Sequence, residues 1–435
     1  MKELDVVLDR LKRGNVFLTG GAGVGKSHLV REIIKEYRKR ENVVVALGST
    51  GVAAVNVGGS TIHSFMVFGI SSDFGELKKY DKKAAARVKE LYNILRNTDL
   101  LIIDEISMVS ADLLDMIFYR LRESGFDGRV LFAGDFFQLP PVRKKGEKRG
   151  IFDAFSYAFE SSAWEALSPE VVELTTPRRA KDFEFVNVLK KIRVGECDEE
   201  AVSFLKRFVT KEKVKDRDAT VLFGTKREAK SHNEESLKRI KKPLVVKEAE
   251  VEIYKNGIDD RKISSWINAL PVEYELKIKE SSKVLFTTNK RGEFYNGERG
   301  VVIDIKDDKI VVLKENGKSV EVEPYEYKYS VVSFDEKREE VEEEILAVLR
   351  QYPLKNAYGI TIHKSQGMGI ENLVCDIGNI FEKSQFYVAL SRATDTKKMK
   401  IVYKGESFER YLKRIVKVDK SVKDFYEKSN ILKIS

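Results

Sequence analysis

The segment NVFLTGGAGVGKS, residues 15–27, decides the fold. Its apolar first half is typical of a strand, and its second half fits G-x-x-x-x-G-K-S before a helical pattern that begins near His28. Glycines in such a turn let backbone N–H groups surround phosphate oxygens, and the helix N-terminus adds positive potential. We therefore predict a nucleotide site in which Lys26 reaches the β- and γ-phosphates and Ser27 binds Mg²⁺. The residues predicted to contact the nucleotide are Gly20, Gly21, Ala22, Gly23, Val24, Gly25, Lys26, Ser27 and His28.

Short apolar runs alternate with amphipathic helical patterns along most of the chain. After the first strand, the apolar runs are NVVVALGST at 42–50, DLLIIDE at 99–105, RVLFAGD at 129–135, ATVLFGT at 219–225, NLVCDIG at 372–378 and KMKIVYK at 398–404. Such alternation is typical of parallel sheets covered by helices. We therefore predict an α/β fold with two such domains, joined near residue 180.

Two segments depart from this alternation. From Lys283 to about Ser333, apolar and polar residues alternate between tight Asp-Asp and Asn-Gly turns, which is typical of antiparallel hairpins. We predict that this segment is a small β-barrel inserted into the second domain. The segment from Phe65 to Tyr92 fits neither pattern, and we predict a loop-plus-helix excursion from the first domain.

Composition narrows the class of protein. The 435 residues are enough for two or three domains, and their apolar fraction of 42% argues against a disordered chain. No apolar run is long enough to span a membrane, and the P-loop starts too early for a targeting signal to precede it. The two cysteines, Cys197 and Cys375, indicate neither a disulfide framework nor a zinc site. We expect a cytoplasmic protein, and the net charge of +9 favours a polyanionic partner.

Acidic and amide side chains lie at or after the ends of two later predicted strands of the first domain, at 99–105 and 129–135. Asp104 and Glu105 end the strand LLII, where carboxylates can face the P-loop. We predict that Asp104 holds Mg²⁺ and that Glu105 orients and deprotonates the attacking water. We predict that Gln138, which follows the strand VLFA, either senses the γ-phosphate or positions water. Phosphoryl transfer also needs an arginine from outside the P-loop, but the sequence pattern alone does not select one.

Five motifs together carry a family resemblance. In chain order they are TIHSF at 61–65, DEIS at 104–107, GDFFQLPPV at 134–142, TIHKSQG at 361–367 and YVALSR at 387–392. A P-loop alone is common, but this combination resembles the Pif1-type DNA helicases of superfamily one over residues 15–402. The segments QLPPV and TIHSF favour that family over its RecD-like relatives. The short ends of the chain favour a bacterial source.

The resemblance implies a domain plan and an activity. It implies a RecA-like first domain at 1–180 with a strand-separating wedge at 65–92. It also implies a RecA-like second domain at 181–282 and 334–435, around a barrel at 283–333. ATP would bind in the cleft between the RecA-like domains, with Arg392 as arginine finger and Arg179 as a second γ-phosphate contact. Hydrolysis would drive 5′-to-3′ translocation on single-stranded DNA and duplex unwinding, in DNA repair, replication or recombination.

The resemblance also implies which residues contact DNA. They are polar or aromatic residues on loops, which suit phosphate contact and base stacking without sequence readout. They are Thr50, Gly51, Thr61, His63, Ser64, Phe65, Thr225, Thr361, His363, Lys364, Ser365 and Gln366. The expected partners are single-stranded and forked DNA, with G-quadruplexes and RNA–DNA hybrids also plausible. We expect a monomer in solution and no membrane partner.

The sequence departs from the family pattern at four places. The glutamine that usually reads adenine upstream of the P-loop is missing, and Glu3 lies in the matching region. Where the family has Phe-Arg-Gln, this chain has Arg178-Arg179-Ala180. A hydroxyl residue usually follows the Gln-Gly of TIHKSQG, and this chain has Gly369 there. Where the family has Thr-Asn, this chain has Thr225-Lys226. These departures leave the adenine contact and the register at Arg179 open.

Three other functions stay open at this point. The first is a P-loop ATPase that acts as a switch without unwinding, against which the motif TIHKSQG counts. The second is a RecD-like subunit of a larger recombination machine, which QLPPV and the lack of a long N-terminal domain disfavour. The third is a small-molecule kinase, which would hydrolyse ATP without stimulation by DNA.

Overall fold

The computed structural model describes residues 2–435 except for ten short gaps. The gaps are 51–52, 55–56, 70–73, 142–156, 179–181, 213–215, 217–218, 255–259, 291 and 336–339. Two predicted site residues, Gly51 and Arg179, therefore lie outside the described residues. Within the described part, no helix is both long enough and apolar enough to span a membrane.

The first domain is built on a parallel sheet with seven described strands. Their spatial order is Ile431–Ile434, Glu170–Leu174, Val16–Gly20, Arg129–Ala133, Leu100–Asp104, Val44–Gly48 and Ser60–Thr61. The central strands are buried on both faces because helices cover them, as their continuous apolar runs require. The covering helices are Glu3–Arg13, Lys26–Lys39, Ala85–Arg96, Ala111–Ser124 and Ser162–Leu167.

The second domain repeats this plan around a five-stranded parallel sheet. The spatial order is Gly359–Thr361, Thr220–Phe223, Leu373–Asp376, Lys400–Val402 and Val209–Thr210. Its helices are Phe183–Arg193, Glu199–Lys206, Lys226–Lys238, Gln385–Leu390 and Phe408–Ile415. The prediction of an α/β fold with two parallel sheets is confirmed.

The insertion into the second domain is larger than the predicted segment 283–333. Its five-stranded antiparallel sheet has the order Ser319–Val322, Ile310–Lys314, Arg299–Ile305, Lys283–Phe286 and Leu354–Asn356. Beside it lie a sheet of Glu250–Ile253, Glu340–Gln351 and Tyr325–Asp335, a strand pair of Val245–Glu248 and Glu275–Ile278, and the helix Asp260–Ala269. Strands that pair across about a hundred residues carry no local turn signal, so the sequence pattern missed them.

The excursion from the first domain contains two helices, Phe74–Lys83 and Ala85–Arg96. Their buried leucines pack on the core of the first domain. The fully buried Arg120, on helix Ala111–Ser124, holds the excursion against the first domain. It makes a bidentate contact with Asp81 and donates to the Met66 carbonyl. The first of the two helices also approaches strand Tyr325–Asp335 of the insertion.

The end of the chain returns to the first domain, although the sequence analysis assigned 334–435 to the second. Strand Ile431–Ile434 pairs in parallel with Glu170–Leu174, and helix Lys420–Lys428 precedes it. The Tyr426 hydroxyl lies 2.8 Å from Thr19 Oγ1 and accepts the Phe136 N–H at 3.2 Å. A four-residue strand at a sheet edge shows too little pattern to reveal which sheet it joins.

Candidate nucleotide site and DNA interface

The P-loop is the turn between strand Val16–Gly20 and helix Lys26–Lys39. Gly20 has a φ of 141°, and a Cβ there would lie 2.5 Å from the Leu174 carbonyl oxygen. Gly25 has a φ of 99°, in the left-handed region that L side chains rarely adopt. Glycine is therefore required at both ends of the turn, and the helix begins two residues before the predicted start.

Lys26 lies at the mouth of this turn. Its ammonium group donates to the carbonyl oxygens of Gly20 at 2.7 Å and Gly21 at 3.0 Å. Burial lowers the pKa of Lys26, and the carboxylates of Asp135 and Glu105 partly oppose that shift. A polyphosphate in the turn would stabilise the charged form, so the site is suited to an anionic ligand.

The two predicted carboxylates lie where the sequence placed them. Asp104 ends strand Leu100–Asp104 and is only 4% exposed. Burial and the neighbouring Glu105 raise the pKa of Asp104 to about 7, and Lys26 opposes this shift. Glu105 has a φ of 54°, a left-handed conformation that is uncommon for a residue with a side chain.

Asp135 and Arg193 form an ion pair beneath the P-loop that the sequence analysis did not predict. Arg193 Nη2 donates to the buried Asp135 carboxylate at 2.9 Å, and Nη1 donates to Glu173 at 3.0 Å. Its guanidinium lies 4.8 Å from the centre of the Phe137 ring. Gln138 is 4% exposed and donates its backbone N–H to the Asp135 carbonyl, so the ion pair supports the loop that carries Gln138.

The second domain contacts the P-loop directly. The Tyr387 hydroxyl accepts the Ala22 N–H at 2.8 Å. Arg392 is 2% exposed and donates to the Val388 carbonyl at 3.1 Å and to Ser391 Oγ at 2.8 Å. In this structure its guanidinium is therefore bound within its own domain. A cavity of about 540 Å³ separates the domains and is lined by residues 21–24, Glu173, Arg193, Tyr387, Ser391 and Tyr426, among others.

The domain junction also reaches the P-loop, through Arg178. Its N–H donates to the Gly23 carbonyl at 2.8 Å, and its guanidinium forms an ion pair with Glu3. The other carboxylate oxygen of Glu3 is buried and has no hydrogen-bond partner. Glu3, at the position where a glutamine was expected, therefore lies close to the nucleotide turn.

On the first domain, several residues predicted to contact DNA reach the surface. His63 and Ser64 are exposed, and Phe65 is half-buried at the end of helix Ile62–Phe65. Thr50 Oγ1 accepts the Ala53 N–H at 3.2 Å, so it also has a local structural role.

On the second domain, only part of the predicted DNA set is exposed. Thr361 and Ser365 are buried, and their hydroxyls bond within the turn 361–365. Thr225 caps helix Lys226–Lys238 in a reciprocal contact with Glu228. Lys364 is exposed, and half-buried His363 bonds to Glu382 at 2.7 Å.

A group of lysines surrounds this turn. Burial, together with the charges of Lys364, Lys226 and Lys230, lowers the pKa of Lys355 to about 8, against the opposing effect of Glu273. Mutual repulsion among the four lysines would be relieved by a bound polyanion. Lys364 was among the residues predicted to contact DNA, and Lys226 was noted as a departure from the family pattern. Lys230 and Lys355 were not predicted.

Comparison with known proteins decides the family. A family model described as PIF1-like helicase matches residues 3–203. An ATP-dependent DNA helicase Pif1 from Campylobacter jejuni is 42% identical over 430 residues, which cover 96% of this chain and 95% of that protein. The chain belongs to the PIF1-like helicase family.

Two solved helicase structures share the whole fold. A Bacteroides Pif1 in complex with ADP-AlF₃ and single-stranded DNA matches with a TM-score of 0.79 and 26% identity, covering 98% of this chain and 96% of that one. A structure of two coordinating Pif1 helicases at forked duplex DNA matches with a TM-score of 0.76, 27% identity and the same coverage. The predicted family and enzyme class are confirmed, and the switch and kinase alternatives are excluded.

Proposed function

We propose that this PIF1-like helicase binds ATP and Mg²⁺ between its two parallel-sheet domains and moves 5′-to-3′ along single-stranded DNA. The chain is an ATP-dependent DNA helicase, and the proposal concerns how its own residues perform that reaction. The observation that carries it is a pair of contacts across the cleft. Tyr387 touches the P-loop, and the turn that carries Lys364 touches Glu105 through Gln366.

The nucleotide roles follow from the site. Backbone N–H groups of 20–25 surround the phosphates, and Lys26 exchanges its two carbonyl partners for phosphate oxygens. Ser27 and Asp104 supply oxygen ligands of the kind Mg²⁺ prefers. A cation there would favour the ionised form of the buried Asp104 carboxylate, whose pKa is raised to about 7. When bound, Mg²⁺ would neutralise charge on the transferring phosphoryl group. Glu105 takes the proton of the attacking water, Gln138 faces the γ-phosphate, and Arg392 and Arg179 stabilise its charge.

Translocation requires that closure of the cleft change the grip of each domain on DNA differently. The first domain offers Thr50, Thr61, His63, Ser64 and Phe65, and the second offers His363, Lys364 and the nearby lysines. Alternating grip between these two surfaces moves the strand by one step per ATP. The excursion at 65–92 would then split the duplex ahead of the motor. G-quadruplexes as further substrates, a monomeric state in solution and a cytoplasmic location belong to the same proposal.

Fork polarity tests the direction of movement. Forks that share one duplex and carry a single tail, either 5′ or 3′, are offered to the helicase with ATP and Mg²⁺. We expect the 5′-tailed fork to be unwound and the 3′-tailed fork to remain largely duplex. The control is a blunt duplex, which should not be unwound because neither domain has a single strand to grip. Preferential unwinding of the 3′-tailed fork would overturn the proposed direction.

DNA affinity should depend on pH through Lys355. Phosphate favours the ammonium form and so raises the pKa of Lys355 on binding. The contribution is therefore complete well below a pH of about 8, the pKa of the DNA-free group, and is lost as the pH rises from there through the higher pKa of the DNA-bound group. At pH 9 only about one in ten Lys355 side chains of the DNA-free protein is charged, so the Kd for oligo-dT should rise by about tenfold relative to pH 7. Fluorescence anisotropy at constant salt measures this change. The variant Lys355→Met should bind more weakly at pH 7 and lose most of the pH dependence, and a wild-type Kd that is flat from pH 7 to 9 would contradict the assignment.

A further inference from the structure

Gln366 joins the predicted DNA-contacting turn to the hydrolytic site. Its Nε2 donates to Glu105 Oε2 at 3.0 Å, across the cleft between the two domains. The Gln366 side chain is 94% removed from solvent, since the residue is only 6% exposed. It therefore points into the cleft and away from the surface on which Lys364 is exposed.

The orientation of the Gln366 amide follows from its partner. A carboxylate can only accept hydrogen bonds, so the NH₂ group must face Glu105 and Oε1 must face elsewhere. This Oε1 atom is buried and has no hydrogen-bond partner in the structure. Buried polar atoms normally have partners, so a free acceptor beside the predicted general base marks a place for a donor. The attacking water is such a donor.

The turn that carries Gln366 is held in one shape by its own hydrogen bonds. Ser365 Oγ donates to the Ile362 carbonyl at 2.7 Å, and Thr361 Oγ1 accepts the Lys364 N–H at 3.4 Å. Lys364 lies two residues before Gln366, on the exposed side of the turn. The exposed Lys364 and the buried Gln366 therefore face opposite sides of one turn.

We propose that Gln366 is a positioning residue of the hydrolytic site, where it holds Glu105 and the attacking water, and that it does not itself contact DNA. This inference rests on the proposed function of the cleft and changes the role that the family resemblance implied for Gln366. Nε2 holds the Glu105 carboxylate, and Oε1 accepts one hydrogen bond from the attacking water. The water oxygen bonds to the γ-phosphorus, its other proton passes to Glu105, and the bond from the γ-phosphorus to the bridging oxygen breaks with its electron pair leaving on ADP.

The test separates DNA affinity from turnover in the full chain. Gln366→Met removes both polar atoms while keeping an unbranched side chain of similar length. Gln366→Glu places a second carboxylate against Glu105, so that like charges repel. Lys364→Ala on the same turn is the contrasting variant. For each protein, the Kd for fluorescein-labelled oligo-dT is measured by anisotropy, and ATP hydrolysis is measured without DNA and at saturating oligo-dT.

We expect both Gln366 variants to bind oligo-dT within about twofold of wild type while kcat at saturating DNA falls by at least about tenfold. ATP hydrolysis without DNA should fall as well, because Gln366 contacts Glu105 in the structure without DNA. Lys364→Ala should show the opposite pattern, with a raised Kd and a kcat at saturating DNA close to wild type.

Two results would overturn the inference. A Kd raised about tenfold with a normal kcat would make Gln366 a DNA contact. Wild-type values of both Kd and kcat would leave Gln366 without a role. Failure of the proposed function looks different, because wild type itself would then hydrolyse ATP without stimulation by DNA.

Discussion

Replacing Arg392 with alanine is expected to lower kcat for DNA-stimulated ATP hydrolysis by about 10³- to 10⁵-fold. In the structure its guanidinium binds the Val388 carbonyl and Ser391 Oγ, within the second domain. Closing of the cleft is expected to bring that charge to the γ-phosphate, where it stabilises the transition state. Arg392→Lys should recover little of the lost rate, since a lysine keeps the charge but cannot reproduce the planar two-pronged contact.

The matched control for Arg392 is Arg410→Ala, which removes an exposed arginine from the same domain. It should retain wild-type hydrolysis. Affinity for oligo-dT shows whether each variant is folded, and it should stay near the wild-type value for Arg392→Ala. A folded Arg392→Ala protein that hydrolyses ATP within about tenfold of wild type would remove Arg392 from the transition state.

Glu105→Gln should lower kcat by about 10²- to 10⁴-fold without abolishing ATP binding. The amide keeps the shape of the side chain but cannot accept the proton of the attacking water. Lys26 and the P-loop backbone are unchanged, so a fluorescent ATP analogue should bind with nearly wild-type affinity. The variant should therefore hold ATP and bind DNA without unwinding a fork.

Glu165→Gln, at an exposed position on the same domain, is the matched control for Glu105→Gln and should behave as wild type. A Glu105→Gln protein that loses ATP affinity in proportion to kcat would instead place Glu105 among the ATP contacts. Hydrolysis at a normal rate would assign the general base to another residue.

The parts of the site that could be predicted from the sequence are those with a local signal. Gly20 and Gly25 are required by the backbone of the turn itself, so the P-loop is visible in eight consecutive letters. Asp104 is the last residue of one apolar strand, and Gln138 lies five residues after the end of the next, Arg129–Ala133. Parallel strands bring their carboxyl ends to one edge of a sheet. The two α/β domains could be predicted for the same reason, because the alternation of strands and helices is repeated along the chain.

The parts that could not be predicted depend on contacts between distant segments. Arg193 meets Asp135 only because helix Phe183–Arg193 packs beneath the P-loop, and an arginine at a helix end has no special pattern. Gln366 was placed with the DNA contacts because it neighbours Lys364, whereas the fold turns its side chain toward Glu105. The strand Ile431–Ile434 is four residues long, and its pairing with the first sheet carries no signal in those residues.

ATP hydrolysis should be measured with and without single-stranded DNA, in wild type and in Lys26→Ala. A helicase whose DNA turn touches its hydrolytic carboxylate should hydrolyse ATP many times faster when oligo-dT is present. That stimulation should vanish in Lys26→Ala, because its P-loop lacks the ammonium group that reaches the phosphates. Wild-type hydrolysis that is indifferent to oligo-dT would contradict the account, because no coupling would then run from the DNA surface to the nucleotide site.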